Sequence, residues 1–128
     1  MISFDDITKL FSIDLNNSMC IEIEFNVISY PDFQYCWMGK CPKQKKSRFI
    51  ALPLPTFIKG KHIPDIYWFG LPNHEDDNYC YNNFDDFSSA PIFDGKTLKE
   101  IWDNVEILSI DSIDPEERLQ WYLQKSEI

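Results

Sequence analysis

Four cysteines and two histidines are the residues of this chain best suited to chemistry. Four residues lie between Cys36 and Cys41, and five lie between His74 and Cys80. Three thiolates and one imidazole make a tetrahedral zinc set, so Cys36, Cys41, His74 and Cys80 form a candidate metal site. The close CxxC form is absent, and four intervening residues stand at the upper end of the usual knuckle spacing. Lys40 and Lys43 beside the first pair would offset thiolate charge. The competing reading is structural: Cys20 and Cys80 as small core residues, Cys36 and Cys41 flanking a hairpin turn.

A second chemistry needs only one cysteine beside one imidazole. Thiolate catalysis requires that pair and a group to orient it. Any of the cysteines could meet His62 or His74, yet no local signature surrounds them. A small Cys/His-dependent enzyme is therefore one alternative, and a zinc-stabilised structural or adaptor domain is another.

Carboxylates are abundant. Glu75, Asp76, Asp77, Asp85, Asp86 and Asp94 could hold a divalent cation or supply a general acid and base. The calcium-loop pattern fails, because Asp76-Asp77 is followed by no glycine at the required place and no closing glutamate. Gly39, Gly60, Gly70 and Gly95 stand singly, which excludes the common phosphate-cradling loops. No complete catalytic constellation emerges, and no cofactor is implied beyond the zinc alternative.

Charge is the stronger clue. Residues 1–64 carry a net +2 and residues 65–128 a net −11, so the second half carries more than the whole of the −9 total. Five bases cluster at Lys40, Lys43, Lys45, Lys46 and Arg48. With Trp37 and Phe49 nearby they mix charge with rings, as single-strand nucleic-acid binders do. The acidic remainder argues against nucleic acid. It suits docking to a basic protein.

The acidic half is also aromatic. Tyr67, Trp68, Phe69, Tyr79, Tyr81, Phe84 and Phe87 lie among Asp65, Glu75, Asp76, Asp77, Asp85 and Asp86. Aromatic anchors in a charged surround are the make-up of a protein interface. Trp68, Tyr81 and Phe84 are the expected anchors, with Asp76, Asp77, Asp85 and Asp86 as steering charge. A carboxylate face can imitate a phosphate backbone and block a nuclease-like protein, as small bacterial immunity proteins do, although no motif of a particular immunity family is present. The opposing reading places the rings in the core and the acids in water.

These residues must be held by local structure. Ser3 and Asp6 make a capping box for a helix over 3–11, with Phe4, Ile7, Leu10 and Phe11 on its apolar face. Ile21, Ile23, Phe25 and Val27 alternate with Glu22, Glu24 and Asn26, which predicts a half-buried strand over 19–28. Phe33–Met38 reads as a second strand, Gly39-Lys40 as a tight connection, and Arg48–Leu54 as a third strand. Together they suggest an antiparallel meander over 19–54. Ile66–Leu71 is a further strand. Tyr79–Phe87 fits neither period and reads as a loop or short helical turn. Asp94-Gly95 marks a turn.

Thr97 and Glu100 cap a helix over 97–104, and Val105–Ile110 reads as a strand. Asp114, Pro115 and Glu117 open a last helix over 115–124 that buries Leu119, Tyr122 and Leu123.

The fold expected is α+β: a single, mostly antiparallel sheet with a short N-terminal helix and two C-terminal helices packed against it. Whether those two helices share one face is open. Residues 1–128 fit one compact domain. The N-terminus has neither a basic start nor an apolar run, so the expected location is cytoplasmic and the expected cysteine state is free thiol or metal-bound. The expected function is a non-catalytic acidic domain that binds, and neutralises, a basic protein.

Overall fold

The computed structural model describes residues 2–13, 20–42, 57–58, 61–62, 65–72 and 79–126. Helix α1 (Phe4–Ser12) begins as its capping residues dictate: the Ser3 hydroxyl accepts the Asp6 N–H at 3.0 Å, and the Asp6 carboxylate accepts the Ser3 N–H at 2.9 Å. Ile7, Leu10 and Phe11 form its buried stripe.

Strands β1 (Ile21–Val27), β2 (Cys36–Pro42), β5 (Asp65–Gly70), β6 (Tyr79–Tyr81) and β7 (Val105–Ile110) make one antiparallel sheet in the order β6-β5-β2-β1-β7. A separate two-strand ladder joins β3 (Phe57–Ile58) to β4 (Lys61–His62). Helices α2 (Phe84–Ser89), α3 (Leu98–Ile101) and α4 (Pro115–Ser126) complete the described elements. The α+β architecture expected from the sequence is the one observed.

Side-chain alternation assigns each strand residue to a face. The pairs Ile21↔Lys40, Ile23↔Met38 and Phe25↔Cys36 place these six on one side, continued by Tyr67, Phe69, Tyr79 and Tyr81. This side meets Ile7, Leu10 and Phe11 of α1, Phe87 of α2, Leu98 and Ile101 of α3, and Leu119 and Tyr122 of α4 in one core. All four described α-helices therefore cover the same face, and the two C-terminal helices share it. At the centre of this layer Phe69 and Phe87 stack with centroids 4.1 Å apart and planes 7° from parallel.

Three local expectations are corrected. The second strand starts at Cys36, because Phe33 belongs to the preceding loop: its N–H donates to the Tyr30 carbonyl and its own carbonyl accepts the Val27 N–H at 2.8 Å, while its ring enters the core. Gly39-Lys40 is not a turn. Gly39 pairs with both Glu22 and Trp68, in the middle of the sheet. A glycine is needed there because a Cβ would overlap the Ile21 carbonyl oxygen and lie 2.7 Å from the Trp68 ring. The two neighbours of β2 are β1 and β5, so of the meander expected over 19–54 the described residues contain the β1–β2 hairpin. The third strand placed at 48–54 lies outside the described residues.

Tyr79–Phe87 fits no single period because it is two elements. Tyr79 and Tyr81 keep strand spacing in β6; Asn83 then caps α2 by accepting the Asp86 N–H at 2.8 Å, and Phe84 and Phe87 follow helical spacing. The expected 97–104 helix is one turn of α-helix followed by a 3-10 turn over Trp102–Asn104. Asp94 and Gly95 both have positive φ (54° and 85°) and close the Phe93–Lys96 turn as read.

Candidate interaction surfaces

The three predicted aromatic anchors divide between opposite faces of the sheet. Tyr81 pairs with Tyr67 on the helix side, half-buried against Phe69 and Phe87. Phe84, at the first position of α2, lies 5.8 Å from Phe11, 6.1 Å from Tyr67 and 5.7 Å from Phe87 between ring centroids. Both rings are partly in the core, yet both keep some exposure at its margin. Trp68 pairs with Gly39 and Cys80 on the other face.

Asp85 and Asp86 are exposed in the first turn of α2, next to Phe84. Asp86 also accepts the Asn83 side-chain N–H at 3.1 Å, so it helps build the helix start. The carboxylates suit the positive end of the helix. Asp76 and Asp77 lie outside the described residues.

The face opposite the described helices carries a different set. Strand β1 contributes Glu22, Glu24 and Asn26; β2 contributes Trp37, Gly39 and Cys41; β5 contributes Ile66, Trp68 and Gly70. Glu106 of β7 stands opposite Asn26 and accepts its side-chain N–H at 3.3 Å. Trp37 and Trp68 are half-buried but do not pack against the core. The Trp68 indole lies across Gly39, and its far edge reaches toward Gly70. Period-two alternation in β1 announced the glutamates. Trp37 lies inside the second strand as read, but its place on this face depends on the register of β2 with β1, which local spacing does not give.

Of the zinc set, His74 lies outside the described residues, and the cysteines do not converge. Cys36 and Cys41 are five residues apart on one strand, an odd spacing that sends their side chains to opposite faces. Cys41 instead forms a disulfide with Cys20 across the β1–β2 pair, with Cα atoms 4.4 Å apart. This corrects the expectation of free or metal-bound thiols at these two positions. Cys36 is fully buried, and burial pushes its thiol up to about 12, which opposes the thiolate that a metal or a nucleophilic mechanism requires. Cys80 is half-buried on β6. Among the described residues no three His, Cys, Asp or Glu side chains are grouped to hold a metal ion.

The basic cluster loses its first member. Lys40 is 5% exposed on the helix side. Its ammonium donates to the Phe11 carbonyl at 2.9 Å and the Ile13 carbonyl at 2.6 Å, and stands 3.4 Å from the Asp65 carboxylate. It thus satisfies carbonyls left open at the end of α1. Lys43, Lys45, Lys46 and Arg48 lie outside the described residues.

A polar cluster that sequence reasoning missed centres on Asp111. Its N–H donates to the Glu22 carbonyl at 2.7 Å, and its Oδ1 accepts the Glu22 N–H at 3.0 Å. Its Oδ2 accepts from Arg118 Nε at 3.0 Å and from the Tyr122 hydroxyl. Burial and then this carboxylate hold the Tyr122 phenol above its ordinary range. The Arg118 guanidinium stacks 3.8 Å from the Trp121 ring. Both carboxylate oxygens are engaged, so the arrangement clamps α4 to the β1 end of the sheet. The signal available in sequence was an Asp-Ser pair just past a strand, where a left-handed turn is common; both residues have positive φ.

Comparison of the chain with protein families, with curated proteins and with solved structures found no match. No described helix is long and apolar enough to cross a membrane.

Proposed function

We propose that this chain is a non-catalytic, acidic protein-binding domain that docks on a basic partner and neutralises it, in the manner of an inhibitor or immunity protein. The observation that carries this reading is the charge imbalance, −11 over residues 65–128. Part of it stands exposed as Asp85 and Asp86 beside the half-buried rings of Tyr81 and Phe84. Such a field attracts a basic surface over about a Debye length, roughly 8–10 Å at moderate salt, and speeds encounter. Aromatic rings at the margin then supply short-range contact area.

The test is association of the purified chain with partners recovered from native lysate, measured at rising salt and with Asp76, Asp77, Asp85 and Asp86 changed together to Asn. The reading expects a partner with a basic surface, weaker association at high salt, and a slower on-rate for the four-site variant. A partner captured equally well at high salt and by the variant would refute it.

A further inference from the structure

The inference that follows rests on the proposed basic partner and concerns where that partner's cationic side chains go. We propose that the face of the sheet opposite the described helices is the docking surface for Lys- or Arg-bearing segments of that partner, read by two carboxylate–indole rows. In one row Glu22 stands beside Gly39, across which the Trp68 indole lies. In the next, Glu24 stands directly opposite Trp37. Glu106 adds a third carboxylate on the far side of β1.

Charge and shape both select a cation. Neither the Glu22 nor the Glu24 carboxylate has an ion pair among the described residues, and Glu22 and Glu106 are exposed. An ammonium or guanidinium near such a carboxylate gains its Coulomb attraction, and over an adjacent indole it gains the pull of the ring face as well. Gly39 and Gly70 keep the rows low, so no intervening side chain at those positions lifts a partner off the sheet. On the helix side the buried cation among the described residues, Lys40, comes from the chain itself and faces Asp65 and two carbonyls.

Octa-arginine labelled with a fluorophore serves as the probe, and anisotropy as the readout, with the full-length chain. Glu22→Gln with Glu24→Gln removes two charges from the face without changing side-chain shape. Asp5→Asn with Asp103→Asn removes two exposed charges elsewhere and is the control. The face predicts that the Glu pair weakens binding at least about threefold more than the control pair. Trp68→Leu should weaken it with little change in salt dependence, because the indole acts at short range.

Equal losses in the two double variants would overturn the assignment of the face while leaving the basic-partner reading in place. No saturable binding of octa-arginine by the wild-type chain would overturn both. Sedimentation of the chain alone provides a further outcome. A dimer abolished by Trp68→Leu would give the face to a second copy and overturn the assignment to a basic partner.

Discussion

The two faces of the sheet use similar residues for opposite ends. On the helix side, Tyr67, Phe69, Phe84, Phe87 and Phe93 pack ring against ring, and Lys40, the buried cation among the described residues, answers a carboxylate and two carbonyls of the same chain. On the side opposite the described helices, Trp37 and Trp68 lie on the sheet outside that core, with Glu22 and Glu24 beside them. Aromatic content and charge therefore do not mark a binding surface by themselves. What matters is whether the fold has already supplied each ring and each charge with a partner.

The largest test of this contrast is truncation on each side. Phe87→Ala should cost about 3–5 kcal/mol, since the ring is fully buried among Phe11, Phe69 and Phe84. Trp68→Ala removes a larger side chain yet should cost less than about 2 kcal/mol, because the indole is already partly in water. Urea denaturation of the two variants measures both. Equal losses would mean that Trp68 belongs to a core of its own.

The next test concerns the glycine beneath that indole. Gly39→Ala introduces a methyl group against the Ile21 carbonyl and the Trp68 ring. A ring can shift, but the backbone of a paired central strand cannot readily do so. A loss of about 1–3 kcal/mol is expected, with a change in Trp fluorescence as the indole is displaced. Unchanged stability and spectrum would contradict the placement of Trp68 across β2.

The smallest expected effect is in pH. Burial raises the Cys36 thiol to about 12, and burial followed by Asp65 raises the Tyr67 phenol. A raised folded-state pKa contributes stability that is complete below the unfolded value and is lost as pH rises through the folded one. Stability should therefore be level near neutrality and decline from the ordinary thiol range toward pH 12. Cys36→Ala should flatten part of that decline in thermal melts. An identical alkaline profile in the variant would show that the thiol is not the group that titrates.

Much of the local architecture was legible because its causes are local. The Ser3–Asp6 and Thr97–Glu100 boxes fixed two helix starts, and Asp114 accepts the Glu117 N–H at the third. Alternation alone delimited β1, and β7 runs over Val105–Ile110 as its apolar run suggested. Where two elements abut within a few residues, at 79–87, a single-period reading failed, since each ring obeys the spacing of its own element.

The sequence by itself determined the three capped helix starts, strands β1 and β7, the polar face of β1 and the acidic balance of the second half, because each depends on neighbours in the chain or on composition. Only the tertiary structure decided which face the helices cover, and with it whether Trp68 and Tyr81 belong to one surface or two. It also paired Cys20 with Cys41, buried Lys40 under α1, and joined Asp111 to Glu22 across 89 positions of chain. These outcomes share one physical reason: each is set by strand register and by which distant groups it brings within bonding reach, and neither is a property of any local stretch of residues.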